Sequence, residues 1–250
     1  MRQFWQGTSM LNTTVRADFS ERAVVLPDSY HWEASPTLGV HRVKFDRIGL
    51  EVARATSLVQ YEPNQQFPFH HHDGGEEIFV LEGTLIDDDG IYPPGTYLRN
   101  PSGSSHRPSA GSEGALLFVK LHQFQEGDAK FCRVHTQDSD WLPGLVPGLT
   151  VLPLHQYESE HVALVRWAPN TQFSPHMHFG GEEILVIEGT FCDEHGTYPT
   201  GSWIRSPHQS THTPFTGSDG ALIYVKTGHL PTQHKTSTVS VWCLAEMKRR

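Results

Sequence analysis

Cysteine is scarce in this sequence, and its three cysteines, Cys132, Cys192 and Cys243, form no CxxC pair. An odd number of scattered cysteines provides no disulfide framework, so we expect ordinary thiols in a reducing compartment and a cytoplasmic protein. No apolar run approaches the length of about 18 residues that a membrane-spanning helix needs. The N-terminal residues also lack the apolar core of a signal peptide.

Positively charged residues are also few. The sequence has 19 Lys and Arg residues against 28 Asp and Glu residues, which gives a net charge of −9. Nucleic acids and anionic membranes are bound through clustered Lys and Arg side chains. We therefore expect neither as a partner. The length of 250 residues and the 37% hydrophobic content allow one large domain or two smaller ones.

The sequence has no long stretch with helical periodicity, but it contains an internal duplication. Residues 63–120 and 169–226 align without a gap and are identical at 32 of 58 positions. Short apolar runs in each copy alternate with segments rich in turn residues, which is typical of a sandwich or jelly roll. Short helices are predicted only at 21–25 and 244–250.

The duplication also predicts the domain boundaries. A connector rich in Pro and Gly runs from about Leu121 to Leu149 and joins the two copies. We predict an N-terminal extension, a first domain, a second domain and a C-terminal extension, at residues 1–20, 21–135, 136–235 and 236–250.

Histidines and a glutamate in the first copy have the spacing of a metal site. Residues two apart on a strand point the same way, so His70 and His72 share a face and His71 faces away. The Gly-Gly turn that follows allows Glu76 to return to the same pocket. A fourth ligand should come from a distant strand, and His106 is the candidate that recurs in both copies.

The second copy repeats this set as His176, His178, Glu182 and His212, with Met177 in place of the middle histidine. Three imidazoles and one carboxylate suit a divalent transition metal, namely Fe, Zn, Mn, Co or Ni, and leave coordination positions open. We predict two such sites per chain, with iron or zinc favoured. Retention of both sets means that both sites work or that the second metal stabilises its barrel.

Further residues are shared by the two copies. Glu77 and Glu183 are second-ranked carboxylate candidates, since a regular strand points them away from the site. Arg99 and Arg205 either bind a substrate carboxylate or form structural ion pairs. Paired aromatic residues form either a substrate-facing wall or barrel core, namely Phe67/Phe173, Tyr92/Tyr198, Tyr97/Trp203 and Phe118/Tyr224.

Two motifs in the first copy resemble those of the cupin superfamily. They are H-x-H-x3-E-x6-G from His70 to Gly83 and G-x5-P-x-G-x2-H from Gly95 to His106. Several positions depart from the usual pattern. Ala110 replaces an asparagine, whereas Asn64, Asn170 and Gln209 replace glycines.

Within the cupin superfamily, segments such as GGEEIFVLEGT and ALIYVKTGHL resemble the ChrR-like cupins. That resemblance implies two tandem all-β cupin barrels, double-stranded β-helices of the jelly-roll type, each with a metal held by His, His, Glu and His. The family takes its name from a zinc-dependent anti-sigma factor whose sigma-binding part is a separate N-terminal helical domain. About 20 residues precede the first barrel here, so we expect no anti-sigma activity.

The resemblance leaves two classes of function open. One is a mononuclear-metal dioxygenase of the iron type, or a related enzyme, acting on a small oxygenated organic molecule. The other is a non-catalytic zinc-binding sensor or regulator that acts through a protein partner. A bicupin resembles a cupin dimer within one chain, so a monomer and a homodimer are both compatible with the sequence.

Overall fold

The computed structural model of the protein describes residues 14–50 and 52–232, which form an almost entirely β structure. The predicted C-terminal helix at 244–250 lies outside these residues. Two short 3-10 helices, Pro27–Ser29 and Thr136–Asp138, accompany the strands. No helix among the described residues is long and apolar enough to cross a membrane.

Twelve strands make up the first half of the chain. In order, they are β1 (Thr14–Val15), β2 (Ala23–Val25), β3 (Glu33–Ala34), β4 (Val40–Gly49), β5 (Ala53–Tyr61), β6 (His70–His71), β7 (Glu76–Asp87), β8 (Gly90–Tyr92), β9 (Thr96–Asn100), β10 (Ser105–His106), β11 (Ser109–Leu121) and β12 (Cys132–His135).

Nine strands make up the second half. In order, they are β13 (Leu142–Pro143), β14 (Leu149–Tyr157), β15 (Glu160–Trp167), β16 (His176–His178), β17 (Glu182–Asp193), β18 (Gly196–Pro199), β19 (Trp203–Ser206), β20 (Ser210–His212) and β21 (Phe215–Thr227).

Each half contains one large antiparallel sheet and one two-stranded sheet. The first large sheet has the order β1-β4-β5-β11-β7-β9-β12, and the second has the order β13-β14-β15-β21-β17-β19-β2. The small sheets are β10-β6 and β16-β20. This arrangement confirms the fold class, two tandem cupin jelly rolls.

One strand from the first half of the chain joins the second sheet. Strand β2 lies at the start of the chain but pairs with β19 of the second sheet, and β12 pairs with β9 of the first. The helix predicted at 21–25 is therefore wrong, because this Val-rich segment extends the edge of a sheet. The predicted range 21–135 includes one strand that pairs in the second sheet, and the boundary after residue 135 stays a prediction.

Successive residues of a strand face opposite sides of its sheet, and the buried ones form three separate cores. On β7, Ile78 and Val80 face the interior of the first barrel, whereas Phe79 faces a core shared by both barrels. In that shared core Phe45 stacks on Trp203 with ring centroids 5.3 Å apart. A third core fills the second barrel. The shared core holds the barrels together through apolar burial.

The three residues that replace glycines of the cupin motifs adopt left-handed backbone conformations. The φ angles are 58° at Asn64, 56° at Asn170 and 63° at Gln209. Asparagine is enriched in this region among non-glycine residues, so both Asn positions keep the turn with little steric penalty. The turn at Gln209 is also kept, because Ser210 donates a backbone hydrogen bond to the Pro207 carbonyl.

Candidate metal centres

Four predicted side chains meet inside the first barrel. Strands β6 and β10 pair with His70 opposite His106, and β7 begins at Glu76. One ligand atom from each of these residues and from His72 lies within 4.8 Å of the others. The exposed His71 points away.

The ring nitrogens that face one another are the Nε2 atoms. Nε2 of His72 lies 3.1 Å from Nε2 of His70 and 3.2 Å from Oε2 of Glu76. Nε2 of His106 lies 3.4 Å from the same oxygen. Three nitrogens and one carboxylate oxygen thus converge on one point, which fits a divalent transition metal.

The other nitrogen of each ring is held from behind. Nδ1 of His70 lies 3.0 Å from the Pro68 carbonyl oxygen, and Nδ1 of His72 lies 3.0 Å from Ser104 Oγ. Nδ1 of His106 lies 3.1 Å from the Asp87 carboxylate. Partners of this kind fix the ring orientation and leave Nε2 for a metal.

Burial and neighbouring charge set the protonation of the first site. Burial would raise the pKa of Glu76, but the three histidines outweigh it and lower that pKa to about 2. Burial lowers the pKa of His72 to about 4. It would also lower the pKa of His106, but Asp87 and Glu76 raise it to about 9. Metals bind the ionised carboxylate and the neutral imidazole, so Glu76 and His72 are already in the binding form, whereas His106 must release a proton when a metal binds.

The second barrel brings His176, His178 and His212 together, with one nitrogen of each within 4.8 Å of the others. Glu182 stands just outside this group. Its Oε2 lies 3.5 Å from Nε2 of both His178 and His212. That oxygen is buried and has no hydrogen-bond partner among the described residues, and burial raises the pKa of Glu182 to about 7. A buried oxygen without a donor beside three histidines also fits a metal.

The first site opens into a cavity of about 230 Å³. Apolar side chains form much of its wall, and polar groups including Arg42, Arg47, Ser57 and Tyr61 also line it. Of the paired aromatics, Phe67 lines this cavity, whereas Tyr97, Phe118, Trp203 and Tyr224 belong to the core between the barrels.

The second-ranked glutamates and the shared arginines lie between the barrels. Glu77 accepts hydrogen bonds from Arg99 Nη1 at 2.9 Å and Lys226 Nζ at 2.8 Å. Arg99 also pairs with Asp128 and Glu160. Burial would raise the pKa of Glu77, but Lys226 and Arg99 lower it to about 2. Arg99 is completely buried, so it forms structural ion pairs.

The second copy contributes an equivalent network. Lys120 Nζ lies 2.6 Å from Glu183, which also accepts a hydrogen bond from Trp203 Nε1 at 2.7 Å. Arg205 Nη1 donates to Asp46 at 3.0 Å. Neither glutamate faces a barrel interior, as strand alternation predicts.

A third group of possible ligands, Asp128, His155 and Glu160, belongs to this network. Arg99 contacts both carboxylates of the group, and Lys226 Nζ lies 2.9 Å from Glu160. Cations already neutralise these carboxylates, which makes the group a poor metal site.

The fold and the clustered ligands define a bicupin with two candidate metal centres. The family model of the ChrR cupin-like domain matches residues 20–125 and 129–231, so the chain belongs to that family. Comparison with curated protein sequences gives no match.

Solved structures with the same fold share little sequence with the chain. A putative dioxygenase from Nostoc punctiforme is 16% identical, with a TM-score of 0.72 over 87% of this chain and 86% of that one. Protein YlbA from E. coli is 15% identical, with a TM-score of 0.65 over 90% and 97%. Oxalate decarboxylase from Lactobacillus farciminis is 13% identical, with a TM-score of 0.58 over 84% and 86%. At these identities the likeness shows the fold alone.

Proposed function

We propose that the protein is a mononuclear-metal enzyme of the dioxygenase type, acting on a small oxygenated organic molecule in the first barrel. The observation that carries this proposal is the position of the four candidate ligands. His70, His72, Glu76 and His106 lie on the wall of a cavity rather than in a closed site. A structural metal is usually enclosed by its ligands, whereas a catalytic metal keeps an open position.

The residues of the first barrel have separable tasks. Three imidazoles and Glu76 would hold the ion, and Asp87, Ser104 and the Pro68 carbonyl keep the rings oriented. A divalent ion in this position supplies Lewis acidity toward a carbonyl or enolate oxygen and, where it is iron, redox chemistry with oxygen. Apolar side chains limit water around the reacting atoms, namely Val59, Phe67, Ile78, Leu85, Leu117 and Val119.

Metal content and oxygen uptake test the proposal. Untagged protein purified without added metal or chelator is analysed by elemental mass spectrometry. It is then loaded anaerobically with Fe(II), and oxygen uptake is followed with 2,4-pentanedione and hydroxyacetone. We expect iron in the first site and uptake with at least one of the two compounds.

Matched variants assign the activity to a barrel. Glu76→Gln and His106→Ala should abolish oxygen uptake, because each removes a ligand of the first site. The equivalent changes Glu182→Gln and His212→Ala should leave most of it. Uptake that survives both first-barrel changes would refute the assignment.

Family membership favours a second candidate, a zinc-binding regulatory module. The matched model is described as a ChrR cupin-like domain, and the two ligand sets suit zinc as well as iron. This candidate predicts about two zinc ions per chain and no oxygen uptake after iron loading. It also predicts a protein partner whose binding is lost when zinc is removed.

A further inference from the structure

One cation in the first cavity is available for a ligand. Arg42 lies on β4 two residues after Val40, on the face that packs into the first barrel, and it lines the cavity with the metal ligands. Among residues 14–50 and 52–232 its guanidinium makes no hydrogen bond or ion pair. Arg47 differs, because its guanidinium donates to the carbonyl oxygens of Gly49 and Leu50.

The second barrel lacks this cation. Arg42 pairs with Val59 on the neighbouring strand, and the equivalent pair is Val151 with Val165. A cation is therefore replaced by an apolar side chain. Arginine in an apolar barrel is expensive to desolvate, so its presence in only one copy indicates a task that the other copy does not share.

Two further replacements change the interior of the second barrel. Alanine at 163 stands in the position of Ser57, and Phe191 in that of Leu85. Phe191 is fully buried and packs edge-on against Trp167, with ring centroids 5.5 Å apart, and its centroid lies 6.4 Å from that of His212. These rings occupy the space beside the second ligand set, whereas the equivalent space in the first barrel contributes to the cavity.

We propose that the first barrel binds a small carboxylic acid, with the carboxylate on Arg42 and a neighbouring oxygen directed to the metal site. This rests on the proposed function and names its substrate class. A guanidinium binds a carboxylate through two parallel hydrogen bonds. An oxygen on the adjacent carbon supplies a second ligand atom in the same small molecule, so 2-oxo and 2-hydroxy acids carry both of the groups that these two anchors would bind.

Binding without turnover tests this assignment. The protein is loaded with Zn(II), which has no redox chemistry, and is titrated with pyruvate and with the neutral analogue pyruvamide by isothermal calorimetry. We expect saturable pyruvate binding to the wild type. Arg42→Val, which copies the second barrel, should weaken pyruvate binding about 10- to 100-fold and leave pyruvamide unchanged.

Two variants control for charge and folding. Arg107→Val removes an exposed positive charge beside His106 and should leave pyruvate binding unchanged. Arg42→Lys keeps the charge but loses the planar fork, and it should weaken binding by a smaller factor. Zinc content and circular dichroism of each variant report whether the site and fold are intact.

Several results would overturn the proposal. One is that pyruvate, lactate and acetate all fail to saturate the wild type. Another is that pyruvate binds the wild type and both Arg42 variants equally, as it would if the metal alone held it. Oxygen uptake with neutral ketones together with absent carboxylate binding would leave the proposed function standing and remove this inference. Carboxylate binding through Arg42 without oxygen uptake after iron loading would support this inference and count against the proposed function.

Discussion

Two adjacent glutamates should respond differently to the same substitution. Glu76 faces the first candidate metal site, whereas Glu77 faces the core between the barrels and accepts hydrogen bonds from Arg99 and Lys226. Glutamine at either position keeps the side-chain size and removes one negative charge. We predict that Glu76→Gln removes metal, whereas Glu77→Gln lowers stability and leaves the metal content unchanged.

The loss of stability expected for Glu77→Gln depends on the partners that Arg99 and Lys226 keep after the change. Breaking a buried ion pair by removing one member costs about 3–5 kcal/mol, because the other charge stays buried and uncompensated. After the change Arg99 still contacts Asp128 and Glu160, and Lys226 still contacts Glu160. We therefore expect a loss near the lower limit, about 3 kcal/mol.

Urea unfolding at pH 7 in the presence of a chelator measures this loss without the metal contribution. A shared core makes one cooperative transition the expectation for both barrels. Under these conditions Glu76→Gln should also lower the unfolding free energy, because it removes one of the two carboxylates that contact the buried His106. Since Asp87 stays beside that imidazole, we expect a loss no larger than about 3 kcal/mol, so metal content is the readout that separates the two variants. Elemental analysis without chelator should show one metal fewer for Glu76→Gln and no change for Glu77→Gln. A loss below about 1 kcal/mol for Glu77→Gln, or equal metal loss in both variants, would refute the reasoning.

Three other substitutions test separate parts of the structure. His71→Met, which copies Met177, should change neither metal content nor melting temperature, because His71 is exposed; a loss of metal would contradict this. Leu85→Phe, which copies Phe191, should fill the first cavity and abolish pyruvate binding while metal content stays constant; unchanged calorimetric titrations would count against it. Phe45→Ala should reduce the free energy of urea unfolding by about 3–5 kcal/mol, since it empties part of the core between the barrels, and a reduction under about 1 kcal/mol would show that this core contributes little.

Much of the first site follows from the sequence, because period-two alternation is a local property of strands. Alternation alone places His70 with His72 and turns Glu77 away from Glu76. The duplication then selects His106 from among many histidines. These inferences need no knowledge of which strands pair.

The pairing of β2 with the second sheet is harder to predict, because it depends on contacts between distant segments. The three residues of β2 carry no repeat signal, and their partner strand lies about 180 positions away. The segment at 21–25 contains a strand rather than a helix, since an unpaired edge of the second sheet is available to it. Local propensity is a weak guide where tertiary pairing decides.

Comparison of the two copies explains why the sequence predicts the candidate metal ligands and why it does not predict Arg42. Two tasks common to both barrels account for many of the residues retained in both copies, namely candidate metal ligation and the ion pairs between the barrels. Arg99 and Arg205 are retained for that second task, so retention alone does not indicate substrate binding. Arg42 is absent from the second copy, and a search for shared residues therefore passes over it.

Divergence between the copies is the better guide to substrate chemistry in this chain. A barrel that only needs to hold a metal can fill its interior with aromatic side chains, which adds buried apolar surface and stability. A barrel that admits a ligand must give up that packing and keep polar groups in the space that remains. The replacement of Val151 and Phe191 by Arg42 and Leu85 follows this second pattern. The asymmetry thus supports the proposal that the first barrel binds a ligand, whereas a metal in the second barrel would contribute to folding.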